Sequence, residues 1–236
     1  MKVLVLGDGL LGSELVKQTD WDYISRKKDN IDFTKIETYA NHLQHYEIIV
    51  NCIGYVDTYS RDKQKHWDLN YKGVADLVDI CNDGYHKWYK YRKNLKLVQI
   101  STDYVYANSV PNASEEDVPV HTRNWYGYTK LLGDGYVQLK CKNHLLIRTS
   151  FKKEPFSYSK GWMIKGNFDY TSVIAEKIVE LIKLKSSGIY NVGTDLKTLY
   201  DLGKKTNPNI EPTTEYIDES VPNDISMNLE KLKKVL

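Results

Sequence analysis

The chain has 236 residues, a hydrophobic fraction of 41%, an aromatic fraction of 12% and a formal net charge of +2. This length and composition predict one large domain, or one domain with a small additional lobe, and the near-neutral charge argues against a dedicated nucleic-acid-binding protein. The chain contains three cysteines far apart in sequence, no apolar run of membrane-spanning length and no pattern of a signal peptide. We therefore expect a cytoplasmic protein that binds neither nucleic acid nor a membrane.

The first predicted element is a buried parallel strand over Lys2–Leu6, a short run of β-branched and other apolar residues. A Gly-x-Gly-x-x-Gly turn follows at once and leads into a helical pattern. In this strand–turn–helix context the glycines permit a tight turn, a close approach of a dinucleotide pyrophosphate and close helix packing, while the helix N-terminus faces the phosphates. The predicted cofactor-binding residues of this turn are Gly7, Gly9, Leu10, Leu11 and Gly12.

The end of the second predicted strand, Asp22–Ile24, selects between the two nicotinamide dinucleotides. An acidic residue at this place accepts a hydrogen bond from the adenosine ribose and favours NAD. Here Ser25 and Arg26 follow the strand, and a hydroxyl with a guanidinium suits the 2′-phosphate of NADP. We expect NADPH as the cofactor, with NADH as the alternative if the basic residues only form a surface loop. Asp32 is interpreted as a contact to the adenine edge.

A third buried strand is predicted over Glu47–Gly54, and its small final residues leave room for a ligand at the carboxyl edge of the sheet. A helix follows over Asp68–Cys81. The connection Asn82–Asn94 alternates aromatic and basic residues, a pattern that can stack on nucleic acid. Because this run is short and the protein is not basic overall, we favour a solvated connection. The predicted cofactor contacts after the third strand are Cys52, Ile53 and Gly54.

The next predicted strand, Leu97–Ser101, delivers Thr102 to the same edge of the sheet. After a polar loop over Asn108–Asn124, a helical pattern carries Tyr126 and Lys130 four residues apart and therefore on one helix face. A fixed ammonium beside a phenol favours the phenolate and brings the phenol pKa toward neutral pH. A hydroxyl, a phenol and an ammonium would then converge beside the nicotinamide.

Four strings of residues carry a family resemblance: Gly7–Gly12, Ser101–Tyr106, Tyr126–Lys130 and Ile147–Ser150. Together they resemble the extended short-chain dehydrogenase/reductases, and among these the dTDP-4-dehydrorhamnose reductases. The resemblance implies a Rossmann-type, doubly wound α/β fold in which residues 1–150 bind NADP(H) and residues 151–236 form a small α/β substrate lobe. It implies a nucleotide-sugar substrate and a homodimer as the candidate assembly. By the same resemblance the catalytic residues are Thr102, Tyr126 and Lys130, and Lys130 also holds the nicotinamide ribose.

The substrate lobe is where the chain departs from this family, because it is short. Its first part, Phe151–Tyr170, is basic and aromatic, and it leaves the sheet at the edge where the nicotinamide would lie. Lysine can hold a diphosphate and an aromatic ring can stack on a base, so Lys160 and Trp162 are predicted to contact the substrate. The six histidines have no metal-site spacing, so no metal site is predicted.

The remaining elements are predicted from apolar periodicity. They are a strand at Leu145–Arg148, an amphipathic helix at Thr171–Ile182, a turn and strand at Ser187–Gly193, and small helices at Leu199–Lys204 and Asn228–Val235.

The predicted reaction is the reduction of a nucleotide-linked 4-keto-6-deoxy sugar, with Tyr126 as the general acid. A dehydratase or epimerase on the same scaffold is one alternative, but Tyr104 stands where dehydratases of this superfamily carry the carboxylate that acts as the base. The other alternative is a non-catalytic NADP-binding subunit that regulates a partner enzyme. The short lobe is compatible with that alternative, whereas the intact pair of Tyr126 and Lys130 favours the enzyme.

Overall fold

The computed structural model describes residues 1–83, 95–107, 110–117, 124–215 and 222–236. Most of the predicted connection Asn82–Asn94 and part of the loop Asn108–Asn124 lie outside these ranges. The strands of the described residues are β1 (Val3–Leu6), β2 (Asp22–Ile24), β3 (Ile48–Asn51), β4 (Lys96–Thr102), β5 (His144–Thr149), β6 (Phe151–Lys152), β7 (Lys160–Trp162), β8 (Lys165–Gly166), β9 (Asp169–Tyr170), β10 (Gly188–Val192), β11 (Lys197–Thr198) and β12 (Glu211–Thr213).

The helices confirm the predicted ones and add short helices in the connections. The predicted helix from Asp68 to Cys81 belongs to a longer helical stretch, in which a π-helical turn over Asp68–Lys72 joins two α-helices. Single 3-10 turns lie at Ile36–Thr38 and Asp103–Tyr106. None of the described helices is long and apolar enough to cross a membrane. The α-helices are α1 (Leu10–Lys17), α2 (Arg26–Asp29), α3 (Ala40–Leu43), α4 (Lys63–Trp67), α5 (Gly73–Asp83), α6 (Trp125–Lys140), α7 (Thr171–Lys183), α8 (Leu199–Lys204) and α9 (Glu230–Lys233).

Within the described residues one central sheet has six strands in the order β10-β5-β4-β3-β1-β2, and every neighbouring pair is parallel. All residues of β1, β3 and β4 are buried. This burial explains why β1 and most of β3 are continuous apolar runs rather than alternating ones. The predicted doubly wound α/β fold with a parallel sheet is confirmed.

Helices cover both faces of the sheet, because successive side chains of a strand point to opposite faces. One face packs against α1 and α7, and the other against α5 and α6. The first face uses Val5, Val50, Val98 and Ile147, and the second uses Leu4, Leu6, Ile49 and Leu97.

The strand order reverses between β1 and β3, which lie side by side although β2 separates them in the chain. Ligands of open parallel sheets bind in the crevice that opens at such a reversal, outside the carboxyl ends of the strands. The chain leaves β1 at Gly7 and β3 at Cys52, and β4 ends at Thr102. These three segments, each of which carries predicted site residues, therefore meet at the carboxyl edge of the sheet.

The C-terminal part divides differently from the prediction. Strand β10 pairs along its whole length with β5 as the edge strand of the central sheet, and α7 packs against the sheet beside α1. Residues 171–192 therefore lie in the Rossmann layers although they follow position 150, because an amphipathic helix and a mostly buried strand both need a large apolar partner. The small lobe consists of two-stranded pairs, β6 with β9, β7 with β12 and β8 with β11, together with α8.

Candidate active site

The glycine-rich turn has the geometry that its sequence predicts. Gly7 has φ +94°, a left-handed conformation that side chains rarely adopt. A Cβ added at Gly12 would lie 2.0 Å from the Gly7 carbonyl oxygen, whereas one added at Gly9 would meet nothing within 4 Å. Gly9 is the N-cap residue of α1, with no side-chain capping bond. The turn thus presents open space and the N-terminus of a helix to an anion.

The loop after β3 lies directly against this turn. A Cβ added at Gly7 would lie 2.7 Å from Ile53 Cδ1 and 3.8 Å from the Cys52 backbone. The next residue, Gly54, packs against the side chain of Asn70. Of the two leucines in the turn, Leu10 is exposed while Leu11 is buried in the core. Only the backbone of Leu11 is therefore placed to face a cofactor.

The residues after β2 begin the short helix α2. Ser25 is buried and caps this helix, with its hydroxyl accepting a hydrogen bond from the Lys28 amide at 3.2 Å. Its own amide donates to the Asp29 carboxylate at 2.8 Å. Arg26 is exposed at the first position of the helix. The Ser25 hydroxyl is thus engaged with the backbone of its own helix, and the Arg26 side chain is exposed to solvent.

Asp32, predicted at the adenine edge, stabilises its own turn. Its carboxylate accepts hydrogen bonds from the amide and the hydroxyl of Thr34 at 3.0 and 2.7 Å, and it lies 3.4 Å from the Lys35 ammonium. The hydrogen bonds from Thr34 are the main reason that its pKa is lowered.

Thr102 and Tyr126 meet at the carboxyl edge of the sheet. Thr102 is buried at the last position of β4, and its hydroxyl lies close enough to the Tyr126 phenol to lower the phenol pKa. Tyr126 lies in the first turn of α6. The side-chain oxygen of Asn124 caps the N-terminus of this helix by accepting a hydrogen bond from the Gly127 amide at 2.7 Å. The Tyr126 ring is half-buried and lies edge-on to Tyr104, with ring centroids 5.8 Å apart.

The electrostatics of Tyr126 differ from the prediction. Burial raises the pKa of its phenol above the ordinary value, the nearby Thr102 hydroxyl opposes the rise, and the carboxylates of Asp103 and Asp134 add to it. The expectation of a pKa brought toward neutrality is therefore wrong for this arrangement, because desolvation of the phenolate outweighs any attraction to Lys130. Tyr126 stays protonated at neutral pH, which is the state of a general acid.

Lys130 is buried below Tyr126 on α6, and its ammonium donates a hydrogen bond to the Ile100 carbonyl oxygen at 2.6 Å. Burial lowers the pKa of Lys130, and the Asp134 carboxylate one turn further along the helix opposes this shift. Asp134 in turn accepts from Arg148 Nε at 3.2 Å, and both of these side chains are almost fully buried. The buried charges of Asp134 and Arg148 thus help to fix the position of Lys130, one helical turn from Tyr126.

Asp103 and Lys152 lie beside this site, although the sequence pattern predicts no role for either. Asp103 is completely buried, and Thr102 Oγ1 donates to its Oδ1 at 3.1 Å. Burial raises the pKa of Asp103 to about 7, and the Lys152 ammonium opposes the rise. The available signal was a carboxylate directly after Thr102 and before the aromatic and apolar residues Tyr104, Val105 and Tyr106.

Asn70 was also missed as a residue that connects elements of the site. Its Oδ1 accepts from the Tyr55 amide at 2.8 Å, and its Nδ2 donates to the Tyr55 carbonyl at 3.0 Å and to the Thr129 hydroxyl at 3.2 Å. These bonds tie the loop after β3 to the helix that carries Tyr126. A polar residue at a buried helical position was the signal in the sequence.

The two predicted substrate residues have different surroundings. Trp162 is half-buried and packs against Ile164 and Ile225, the two residues against which Tyr104 also packs. Lys160 is exposed, with its ammonium 3.6 Å from the Glu215 carboxylate. Trp162 therefore shares an apolar cluster with Tyr104, whereas Lys160 lies on the surface of the lobe.

Solved structures share this fold. The chain superposes on a hypothetical dTDP-4-dehydrorhamnose reductase from Sulfolobus tokodaii with a TM-score of 0.82 and 23% identity, covering 100% of this chain and 95% of that chain. It superposes on dTDP-4-dehydrorhamnose reductase from Bacillus anthracis, a complex with NADP, with a TM-score of 0.80 and 22% identity, covering 99% and 93% of the two chains.

Sequence comparison gives the family. The chain is 30% identical over 158 residues to the spore coat polysaccharide biosynthesis protein SpsK of Bacillus subtilis, a match that covers 64% of this chain and 53% of that protein. The chain thus spans about half the length of this curated relative. Residues 1–155 match the family described as the RmlD substrate binding domain. This match covers more than half of the chain, so the protein belongs to the RmlD substrate binding domain family.

Proposed function

We propose that the protein is an NADPH-dependent reductase of a nucleotide-linked 4-keto-6-deoxy sugar. The observation that carries this proposal is the approach of the Thr102 hydroxyl to the protonated phenol of Tyr126, at the sheet edge that also bears the glycine-rich turn. A ketone reductase needs a proton donor and a second hydrogen-bond donor at the carbonyl oxygen.

The turn and its surroundings fit a dinucleotide. A Cβ at Gly9 would project into open space, and the uncapped N-terminus of α1 begins there, so backbone amides are available to a pyrophosphate. Arg26 would hold the 2′-phosphate, and Cys52, Ile53 and Gly54 would line the cofactor. When bound, NADPH supplies the hydride.

Each residue of the catalytic group has a separate task. Tyr126 gives its proton to the oxygen that becomes the alcohol, and Thr102 stabilises the negative charge that develops on this oxygen. Lys130 lies on the buried side of the phenol and holds the nicotinamide ribose. The substrate lies between this edge and the small lobe, with Trp162 as its aromatic contact.

Two similar proteins support the proposal. The Bacillus anthracis protein is a dTDP-4-dehydrorhamnose reductase in complex with NADP, and the Bacillus subtilis protein acts in spore coat polysaccharide biosynthesis.

The test is turnover. Purified protein is mixed with NADPH and dTDP-4-dehydrorhamnose, and with keto sugars linked to other nucleotides, and the loss of NADPH absorbance is followed together with the sugar product. Substrate-dependent oxidation that Tyr126→Phe abolishes is the expected result. Tight NADPH binding without turnover on any of these sugars would contradict the proposal and favour the non-catalytic regulatory subunit.

A further inference from the structure

Asp103 is a carboxylate that the proposed mechanism does not use, although it lies one hydrogen bond from the group that does the chemistry. It is 0% exposed, and its Oδ1 lies 3.1 Å from Thr102 Oγ1. The Tyr126 phenol lies beside these two groups, close enough that Thr102 lowers its pKa and Asp103 raises it. The three polar groups therefore lie in series, from a buried carboxyl, past one hydroxyl, to the proposed acid.

The hydroxyl of Thr102 has the bonding capacity that such a chain requires. A hydroxyl has one proton to donate and two lone pairs that accept. Thr102 Oγ1 already accepts from the Tyr104 amide at 3.2 Å. One lone pair and one proton remain. The lone pair can accept from a protonated Asp103 carboxyl, and the proton can point to the substrate oxygen during the reduction and to the Tyr126 phenolate after it.

We propose that Asp103 restores the proton of Tyr126 after each reduction, by way of the Thr102 hydroxyl. This inference rests on the proposed reductase function. When Tyr126 has given its proton to the new alcohol, the Thr102 proton moves to the phenolate and the Asp103 proton moves to Thr102. Asp103 is left as a carboxylate and takes a proton from water before the next turnover. Because it acts through Thr102, Asp103 is a positioning residue and does not touch the substrate.

The charges around Asp103 support this role. Burial raises the pKa of Asp103 to about 7, so the carboxyl exchanges its proton near neutral pH. The groups that act on it electrostatically among the described residues are the Lys152 ammonium on β6, the hydroxyls of Thr102 and Ser150, and the phenols of Tyr104, in the same 3-10 turn, and of Tyr126 on α6. Lys152 is the cation that favours the carboxylate, and its own pKa is lowered by burial.

The first test separates one turnover from many. Asp103→Asn keeps an oxygen that accepts from Thr102 but removes the proton that titrates. Rapid mixing of this variant with NADPH and the keto sugar nucleotide should show a burst of one NADPH oxidised per site at close to the wild-type rate. The steady rate that follows should be lower than that of the wild type by about a hundredfold, the scale of a lost proton-transfer group. A purely structural defect would slow the burst as well.

The second test uses the pH profile and leaves Asp103 in place. The wild-type steady rate should fall as the pH rises through about 7, where Asp103 loses its proton. Lys152→Gln removes the charge that favours the carboxylate, so the fall should move to higher pH. The matched control is Lys153→Gln, which removes the same charge from the next, exposed residue and should leave the profile unchanged.

The outcomes separate the two proposals. If the wild type oxidises no NADPH with any keto sugar nucleotide, the reductase function fails and the relay fails with it. If the wild type is active while Asp103→Asn keeps its steady rate, or Lys152→Gln leaves the profile where it was, the reductase stands and the relay through Thr102 is overturned.

Discussion

The buried ion pair between Asp134 and Arg148 gives a prediction that the structure defines closely. The Arg148 Nε atom lies 3.2 Å from Asp134 Oδ2, and the two side chains are 2% and 1% exposed. Arg148 also donates to the Tyr106 hydroxyl, which in turn donates to Asn191. The perturbation is Asp134→Asn, which keeps the shape of the side chain and removes its charge.

The expected loss follows from the burial of both partners. Removing one member of a buried ion pair leaves the other charge desolvated and typically costs about 3–5 kcal/mol. We expect about 3 kcal/mol, the lower end, because the amide oxygen of Asn can still accept from Arg148. For a chain of this length that loss lowers the melting temperature by about 6–12 °C.

The assay is urea unfolding, followed by far-ultraviolet circular dichroism and by tryptophan fluorescence. Asp79→Asn is the matched control, because this exposed carboxylate accepts only on the surface from the Tyr136 hydroxyl, and its replacement should cost less than about 1 kcal/mol. Replacing the pair by Asp134→Leu with Arg148→Met should regain most of the loss, since apolar residues need no compensating charge. A loss below about 1 kcal/mol for Asp134→Asn would refute the reasoning that the pair is desolvated.

Four further outcomes are expected. Tyr126→Phe should lower NADPH turnover by at least about a hundredfold while NADPH still binds; near-normal turnover would show that another group is the acid. Arg26→Ala should weaken NADPH by about tenfold or more and leave NADH unchanged in fluorescence titrations at fixed salt; equal losses for both cofactors would contradict its contact with the 2′-phosphate. Trp162→Ala combined with Lys160→Ala should raise the KM of the sugar nucleotide without changing NADPH affinity, mainly through Trp162, and an unchanged KM would place the substrate elsewhere. The pKa of Asp103 rises from 3.8 to about 7 on folding, so between these two values the folded state binds more protons than the unfolded state, and the free energy of unfolding falls as the pH rises. Asp103→Asn should remove that fall when the unfolding free energies at about pH 5 and pH 8 are compared. An equal fall in the variant would show that other groups cause it.

The sequence was sufficient for the features that depend on local patterns. Continuous apolar runs predict buried parallel strands, and the glycine spacing after Lys2–Leu6 predicts the turn found at Gly7, because only a residue without Cβ fits that backbone. The spacing of Tyr126 and Lys130 placed both on one helix, which the structure confirms as α6.

Tertiary structure decided what depends on packing between distant segments. Strand β10 has the same short apolar pattern whether it lies in a lobe or in the main sheet, and only its pairing with β5 places it in the sheet. Trp162 and Lys160 look alike as substrate residues, yet only Trp162 packs near Tyr104.

The protonation of the site likewise could not be predicted from residue spacing. A helical separation of four residues suggested that Lys130 lowers the pKa of Tyr126, but burial acts in the opposite direction and is stronger. The same burial makes Asp103 titrate near neutral pH. The sequence determines which ionisable groups lie close along the chain, whereas the loss of solvation that fixes their charge arises only when distant segments pack around them.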